Sequence, residues 1–457
     1  MVAQKADSTR KMGEEKIPKL LLAFSLPVYV SHLAGSIYNI ISRAFIGNSA
    51  GVAGIAAISV YFPFSMLQMA FGFLFGMGGS TYAAIKVGEG NKPGATRALN
   101  ASVLMIVSVG LVIVVFGNIF LDGLLTGFGA SEDVLPYARE YGRIMLIGSI
   151  FQMIHIGITN YMRVEGKTGL AMVAVLISPV VNIISACVFI LILQLGIKGA
   201  AYATVLGQIC SASFIVAHFI RNKDFLKLNR TLFTFDLKLS LEIMYLGLSS
   251  FVVQFCQSMM STTLNLITKE YGGDLAISGM GVVTTLQQFI VQPVSSVNMG
   301  SQALLGYNFG SKAFARVKEL LRKGIMATTV ILIVEYIIMR VFAVQLVSIF
   351  VSDNDELIAF ASRALPMFLF ALPLIPLQMQ GAGFFQAIRK PVHSVLLSLS
   401  RQAIILVPAL IILPKFFGLD GVLYAGPVAD AISFCITVPI LMYYLRRMTN
   451  SETSLRA

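Results

Sequence analysis

Long apolar blocks separated by short polar segments dominate this chain. A membrane-spanning helix needs about 20 mostly apolar residues. Blocks of that kind occupy 17–41, 52–80, 99–121, 137–161, 169–194, 198–220, 240–268, 276–305, 322–350, 358–387, 393–414 and 419–445. The pattern therefore predicts about twelve transmembrane helices and an all-α integral membrane protein. Pro27, Pro63, Pro179, Pro293, Pro373, Pro376, Pro408 and Pro427 fall inside these blocks. Each removes a backbone donor and predicts a kink, which neighbouring helices must compensate within lipid.

Composition agrees. Charged residues make up 12% of the chain and the mean hydropathy is +0.81. A soluble domain carries about 25% charged residues, so most of this surface does not face water. The net charge is +12, but the basic residues sit in clusters between apolar blocks and no nucleic-acid-binding motif accompanies them. Cys187, Cys210, Cys256 and Cys435 all lie in apolar blocks without CxxC spacing, which points to small buried side chains rather than disulfides or a metal site. No small-residue cleavage site follows the first block, so it is expected to be a retained span.

The basic clusters set an orientation. Lys5, Arg10, Lys11, Lys16 and Lys19 precede the first span. Lys86, Lys92 and Arg97 follow the second, and Arg221, Lys223, Lys227, Arg230 and Lys238 follow the sixth. Lys312, Arg316, Lys318, Arg322 and Lys323 follow the eighth, with Arg446 and Arg447 after the twelfth. Most of the 34 lysines and arginines thus fall on one side. Positively charged short loops stay cytoplasmic, so both termini are expected inside, in a multi-pass plasma-membrane protein.

The sequence also repeats. Gly79-Ser80 recurs as Gly300-Ser301. Tyr161 to Lys167 aligns with Phe384 to Lys390. Leu195-Gly196-Ile197-Lys198-Gly199-Ala200-Ala201-Tyr202 aligns with Phe417-Gly418-Leu419-Asp420-Gly421-Val422-Leu423-Tyr424. The separation is nearly constant and covers six spans, an even number, so the halves are parallel. The expected organisation is an N-terminal lobe at 1–220, a basic cytoplasmic linker at 221–239 and a C-terminal lobe at 240–457. Transporters commonly place the substrate between such halves.

These residues resemble the multidrug and toxic compound extrusion (MATE) family, in its bacterial branch, over nearly the whole chain. The resemblance rests on Pro27, on Ile37-Tyr38-Asn39 leading to Phe45-Ile46-Gly47, on Met162-Arg163-Val164-Glu165-Gly166 and on Asn182. In the second half it rests on Tyr271-Gly272-Gly273-Asp274, Gly306-Tyr307-Asn308-Phe309-Gly310, Phe385-Gln386-Ala387 and Phe417-Gly418-Leu419-Asp420-Gly421. It implies two six-helix lobes in a V. It also implies monomeric secondary active export of bulky, often cationic compounds against inward Na⁺ or H⁺, with no other cofactor. One departure stands out. The family's first-span Asp is replaced by Ser42, followed by Arg43, and a second acidic position four residues after Asn182 is Ala186. Asn182 and Thr204 match the polar partners of that cation site. A Na⁺ site at Asn182, Thr204 and Ser42 would have neutral oxygens only.

Ionised groups inside a bilayer are costly and tend to be functional. Asp430, in the twelfth span beside Pro427, reads either as a protonatable or cation-binding carboxylate or as one half of an ion pair with Arg401 in the eleventh. Glu335 and Arg340 share the ninth span. His32, His155 and His218 titrate in the neutral range when unperturbed, and His32 is the first candidate because the first span lines the cavity in the resembled family. Gln254, Gln257 and Gln288, with Asn265, Gln287, Gln292, Gln378 and Gln380, read as a polar cavity wall or as cross-links between helices. No HExxH, GxxxxGK[ST] or GxSxG motif occurs, so neither an enzyme nor an ATP-driven pump is expected. The competing function is a flippase for a lipid-linked oligosaccharide or other lipid, which would use Arg43 or Arg401 toward an anionic substrate.

Overall fold

The computed structural model describes the backbone of residues 7–128, 130, 132–221, 224–229, 236–350 and 355–456. It describes their side chains except at 7–8, 39–53, 55–56, 258, 261–262, 274 and 449–456. Among the described residues there is no strand, and twelve helices are long and apolar enough to cross a membrane. We number them α1 (Ile17–Tyr38), α2 (Ala57–Gly88), α3 (Lys92–Ile119), α4 (Leu135–Val164), α5 (Thr168–Ile192), α6 (Gly196–Arg221), α7 (Leu237–Gln257), α8 (Leu275–Gly310), α9 (Phe314–Val341), α10 (Asp355–Ala387), α11 (Pro391–Phe417) and α12 (Leu419–Met448).

Local chemistry sets several boundaries. The Asn91 side chain accepts a hydrogen bond from the Gly94 amide at 2.9 Å, and Pro93 sits in the first turn of α3, where a missing N–H costs nothing. Asp236 caps Leu239 in the same way ahead of α7. Between α7 and α8 the chain leaves helical geometry at Gly273, with φ 65° and ψ −162°. The ninth span differs from its sequence boundaries of 322–350. Helix α9 starts at Phe314, because hydrogen bonding continues through a polar turn that Glu319 and Lys323 brace at 2.5 Å. It stops at Val341, and a separate short helix, Ala343–Ser348, follows. In α10 the Pro366, Pro373 and Pro376 region gives a turn and a 3₁₀ step at Leu372–Leu374. In α11 a π-helical stretch, Ser400–Leu406, runs into Pro408, whose missing N–H leaves the helical ladder one donor short. A second π-helical stretch, Cys187–Ile192, ends α5.

The repeat is written into the backbone. Gly196 and Gly418, at matching places, have φ values of 55° and 57°. Gly166 (76°) matches Arg389 (62°), and Gly90 (79°) matches Lys312 (59°). Left-handed turns at the same points therefore close both halves, with glycine in the first and a basic residue at two places in the second. Left-handed geometry costs an ordinary L-residue about 1–2 kcal/mol, and glycine gives part of that back through its greater freedom when unfolded. Lys312→Gly is therefore expected to stabilise the protein by about 0.5 kcal/mol. A rise in the thermal midpoint in detergent checks this, and an unchanged or lower midpoint refutes it.

The chain forms two compact units. The first comprises Met1–Glu15, Leu26–Gln254 and Gly306–Lys312, and the second Lys16–Ser25, Phe255–Leu305 and Ala313–Ala457. The first has a core of Tyr61, Leu121, Leu125, Tyr141, Leu146 and Ala201, at the helix ends remote from the basic loops. The second is built on Val283, Leu332, Leu365, Leu372, Leu410 and Val422. Where helices approach most closely, glycine is the contact. A Cβ on Gly76 would collide with the Gly157 backbone, and one on Gly78 with the Ile243 carbonyl. Lipid offers helices no hydrophobic drive to associate, so this backbone-to-backbone packing holds α2 against α4 and α7.

Candidate functional site

Two charges inside the membrane-spanning helices meet in the second unit. Arg401 Nε donates to Asp430 Oδ1 at 2.5 Å. The Asp430 side chain is 8% exposed and that of Arg401 19%. Arg401 lies in the π-helical stretch of α11, a feature that recurs at functional positions. Around the pair, Gln378 Nε2 donates to the Leu397 carbonyl at 3.0 Å, and the Ser400 hydroxyl donates to the same oxygen at 2.8 Å. Such a pair is balanced only while both members are present. A proton or cation on Asp430 therefore leaves a half-buried guanidinium uncompensated.

The first half carries a neutral version of this arrangement. Gln208 stands at the position matching Asp430, and Pro179 at that of Arg401. Ser211 donates to the Ala174 carbonyl at 2.6 Å. His155 Nδ1 lies 2.6 Å from the Ser211 oxygen. The single Ser211 hydrogen is committed to the carbonyl, so His155 is the donor and acts as a packing residue.

The Asn182 amide donates to Tyr38 Oη at 3.1 Å and to Thr204 Oγ1 at 2.9 Å, and the Thr204 hydroxyl donates to the Ala200 carbonyl at 2.9 Å. Helices α1, α5 and α6 are joined there by neutral groups. The methyl of Ala186 is buried one turn along α5. Ser42 and Arg43 lie outside the residues whose side chains are described.

The remaining candidates are not gathered into one place. His32 is half-buried in α1 and Gln254 half-buried in α7. Gln257 and Gln288, in the same unit as the charged pair, are exposed and bond to neither of its members. Glu335 Oε2 is buried without a hydrogen-bond partner among the described residues.

The Met162-Arg163-Val164-Glu165-Gly166 motif forms a polar brace at the basic end of the first unit. Arg163 donates to Asn160 Oδ1. Glu165, 1% exposed, meets Lys167 Nζ and His218 Nε2, both at 3.0 Å, and Lys167 also meets Asp224 at 2.6 Å. Burial works against the charge on Lys167. The hydrogen bond with Asp224 and the charge of Glu165 outweigh it and hold the ammonium above the ordinary lysine value. A raised lysine value stabilises the fold at neutral pH, and that support fades only as strong alkali removes the proton. The segment beyond is tied down as well: Thr96 donates to the Phe225 carbonyl at 2.5 Å and Asn100 to the Lys227 carbonyl at 3.0 Å.

The sequence reading passed over Tyr38 as a partner of Asn182, and over Gln68, Ser149 and Gln152. The available signal was their polarity within α1, α2 and α4, which periodicity does not distinguish from ordinary packing.

Comparison with known proteins is consistent across methods. The MatE family model matches residues 27–188 and again 250–411, once per half. The multidrug export protein MepA of Staphylococcus aureus (strain MSSA476) is 27% identical over 435 residues, covering 95% of both chains. MepA of Staphylococcus haemolyticus is 27% identical over 442 residues, covering 97% of both. Among solved structures, an outward-facing multidrug resistance MATE family transporter of the MOP superfamily superposes with a TM-score of 0.91. It is 21% identical, with 96% of this chain and 98% of that chain covered. A MOP superfamily transporter from Pyrococcus furiosus gives the same TM-score, identity and coverage.

Proposed function

This chain belongs to the MatE family of transporters, and on that premise we propose that it is a secondary active exporter of bulky, often cationic organic compounds, driven by inward Na⁺ or H⁺. The observation that carries the coupling is the Arg401–Asp430 pair at 2.5 Å within the transmembrane helices. An incoming proton or Na⁺ competes with Arg401 for the carboxylate. Once it is bound, the pair is one positive charge in excess, which disfavours a cationic substrate drawn to the same carboxylate. The two cargoes thus exclude one another, as antiport between two states requires. The 27% identity to MepA over most of both chains supports the multidrug reading.

The lipid-flippase reading needs a basic group offered to an anionic head group. Of its two candidates, Arg43 and Arg401, the second is already engaged by Asp430, which favours the exporter at that residue. We further propose that the protein lies in the plasma membrane with both termini in the cytoplasm, on the strength of its one-sided basic loops, and that it acts as a monomer.

Everted vesicles loaded with Na⁺ or acidified in separate experiments test the exporter reading. One of the two gradients is expected to drive uptake of a cationic dye, and its collapse to release it. Uptake that responds to neither gradient overturns the reading.

A further inference from the structure

Six buried side-chain oxygens in the first unit have no hydrogen-bond partner among the described residues, and four of them are taken together here: Gln68 Oε1, Ser149 Oγ, Gln152 Oε1 and Gln208 Oε1. Gln68 and Ser149 are 0% exposed and Gln208 is 7% exposed. They come from three parallel helices, and the packing register places them at one level. Gly72 of α2 abuts Met153 of α4, and Gly76 abuts Gly157. One turn earlier on both helices, that register sets Gln68 beside Ser149. Gln208 of α6 points its Oε1 at Gly148, 3.0 Å from where a Cβ would stand. Gln152 lies on the Gly148 face of α4, between that contact and the His155–Ser211 bond. Gln68 spends its amide hydrogens toward Tyr61, which accepts at 3.1 Å, so its oxygen is what it offers here.

Buried unpartnered acceptors are rare and costly, and four at one level point to a bound donor or cation. The set holds no carboxylate, which argues against a divalent ion. Neutral oxygens that replace a hydration shell are the chemistry of monovalent cation sites. We propose that Gln68, Ser149, Gln152 and Gln208 form a buried site for a dehydrated monovalent cation of the Na⁺ class. It is separate from the Asn182–Thr204 cluster and independent of the Asp430 reading.

The test uses the purified full chain in detergent, comparing NaCl, KCl and choline chloride at equal ionic strength by thermal unfolding and by ²²Na⁺ equilibrium binding. Wild type is expected to bind ²²Na⁺ and to unfold at a higher temperature in NaCl than in choline. Gln208→Leu and Ser149→Ala are each expected to weaken binding about tenfold or more and to lose most of the Na⁺-dependent shift. In choline they should stay at least as stable as wild type, since each removes an unpartnered oxygen. Asn182→Ala is expected to keep the shift. Three results overturn the site: no Na⁺-specific shift in wild type, so that water alone satisfies the oxygens; wild-type affinity in both Gln208→Leu and Ser149→Ala; or loss of binding in Asn182→Ala.

Discussion

Asp430→Asn is expected to bring gradient-driven efflux down to the level of transporter-free vesicles, while Ser42→Ala keeps most of it. The substitution preserves shape but removes the charge that balances Arg401. Stripping one member from a buried ion pair costs about 3–5 kcal/mol, so the variant should also unfold at a lower temperature. That confounds loss of function with loss of folding. The double variant Arg401→Leu/Asp430→Leu separates them. With both charges gone, nothing buried is left uncompensated, and the thermal midpoint should return to or above that of wild type. Transport should not return, because no carboxylate remains for an ion to occupy. Restored efflux in the double variant would show the pair to be structural glue.

Gly76→Leu should leave little or no monodisperse protein after extraction. The Gly76 and Gly157 backbones touch, so even a methyl group lands on main chain that cannot rotate away. Overpacking typically costs about 1–3 kcal/mol, and Gly76→Ala is expected to fall in that range. The larger leucine forces α2 and α4 apart and removes the close contact that substitutes for hydrophobic drive in lipid. Gly169→Ala, at a helical position with open space around it, is the control and should be neutral. Size-exclusion profiles and thermal midpoints of the three variants decide the matter. A folded, wild-type-like Gly76→Leu would mean that the α2–α4 contact is not closely packed.

The span count and the repeat could be read from sequence because they depend on summed quantities: apolar length, loop charge and recurring glycines. Gly199 and Gly421 show why the glycines recur, since each lets the start of one helix lie on the end of the one before it. Boundaries were less legible. The start of α9 at Phe314 depends on hydrogen bonds through Glu319 and Lys323, which a hydropathy window scores as loop. Asp430 and Arg401 were visible as isolated charges in apolar surroundings, and their meeting follows from α11 and α12 being consecutive and packed together. The set of buried neutral oxygens was not legible: Gln68, Ser149, Gln152 and Gln208 are scattered over three helices, and only the glycine-determined register aligns them. Nor does the sequence foretell which amide lies bare, as with the exposed Gln257 and Gln288.

Lys312 and Arg389 occupy turns that glycine fills in the matching half. With the proposed cytoplasmic termini, both lie where a fixed charge resists passage through the insertion machinery. Backbone comfort is given up at these two points in exchange for a reliable sense of insertion during biosynthesis. In the first half the turn itself is glycine and the charge sits on its neighbours, Lys86 and Lys92 around Gly90 and Lys167 after Gly166. Proteins assembled in lipid thus face a selection that soluble ones do not: a turn can be judged by how faithfully it is delivered to the correct leaflet as well as by how well it folds.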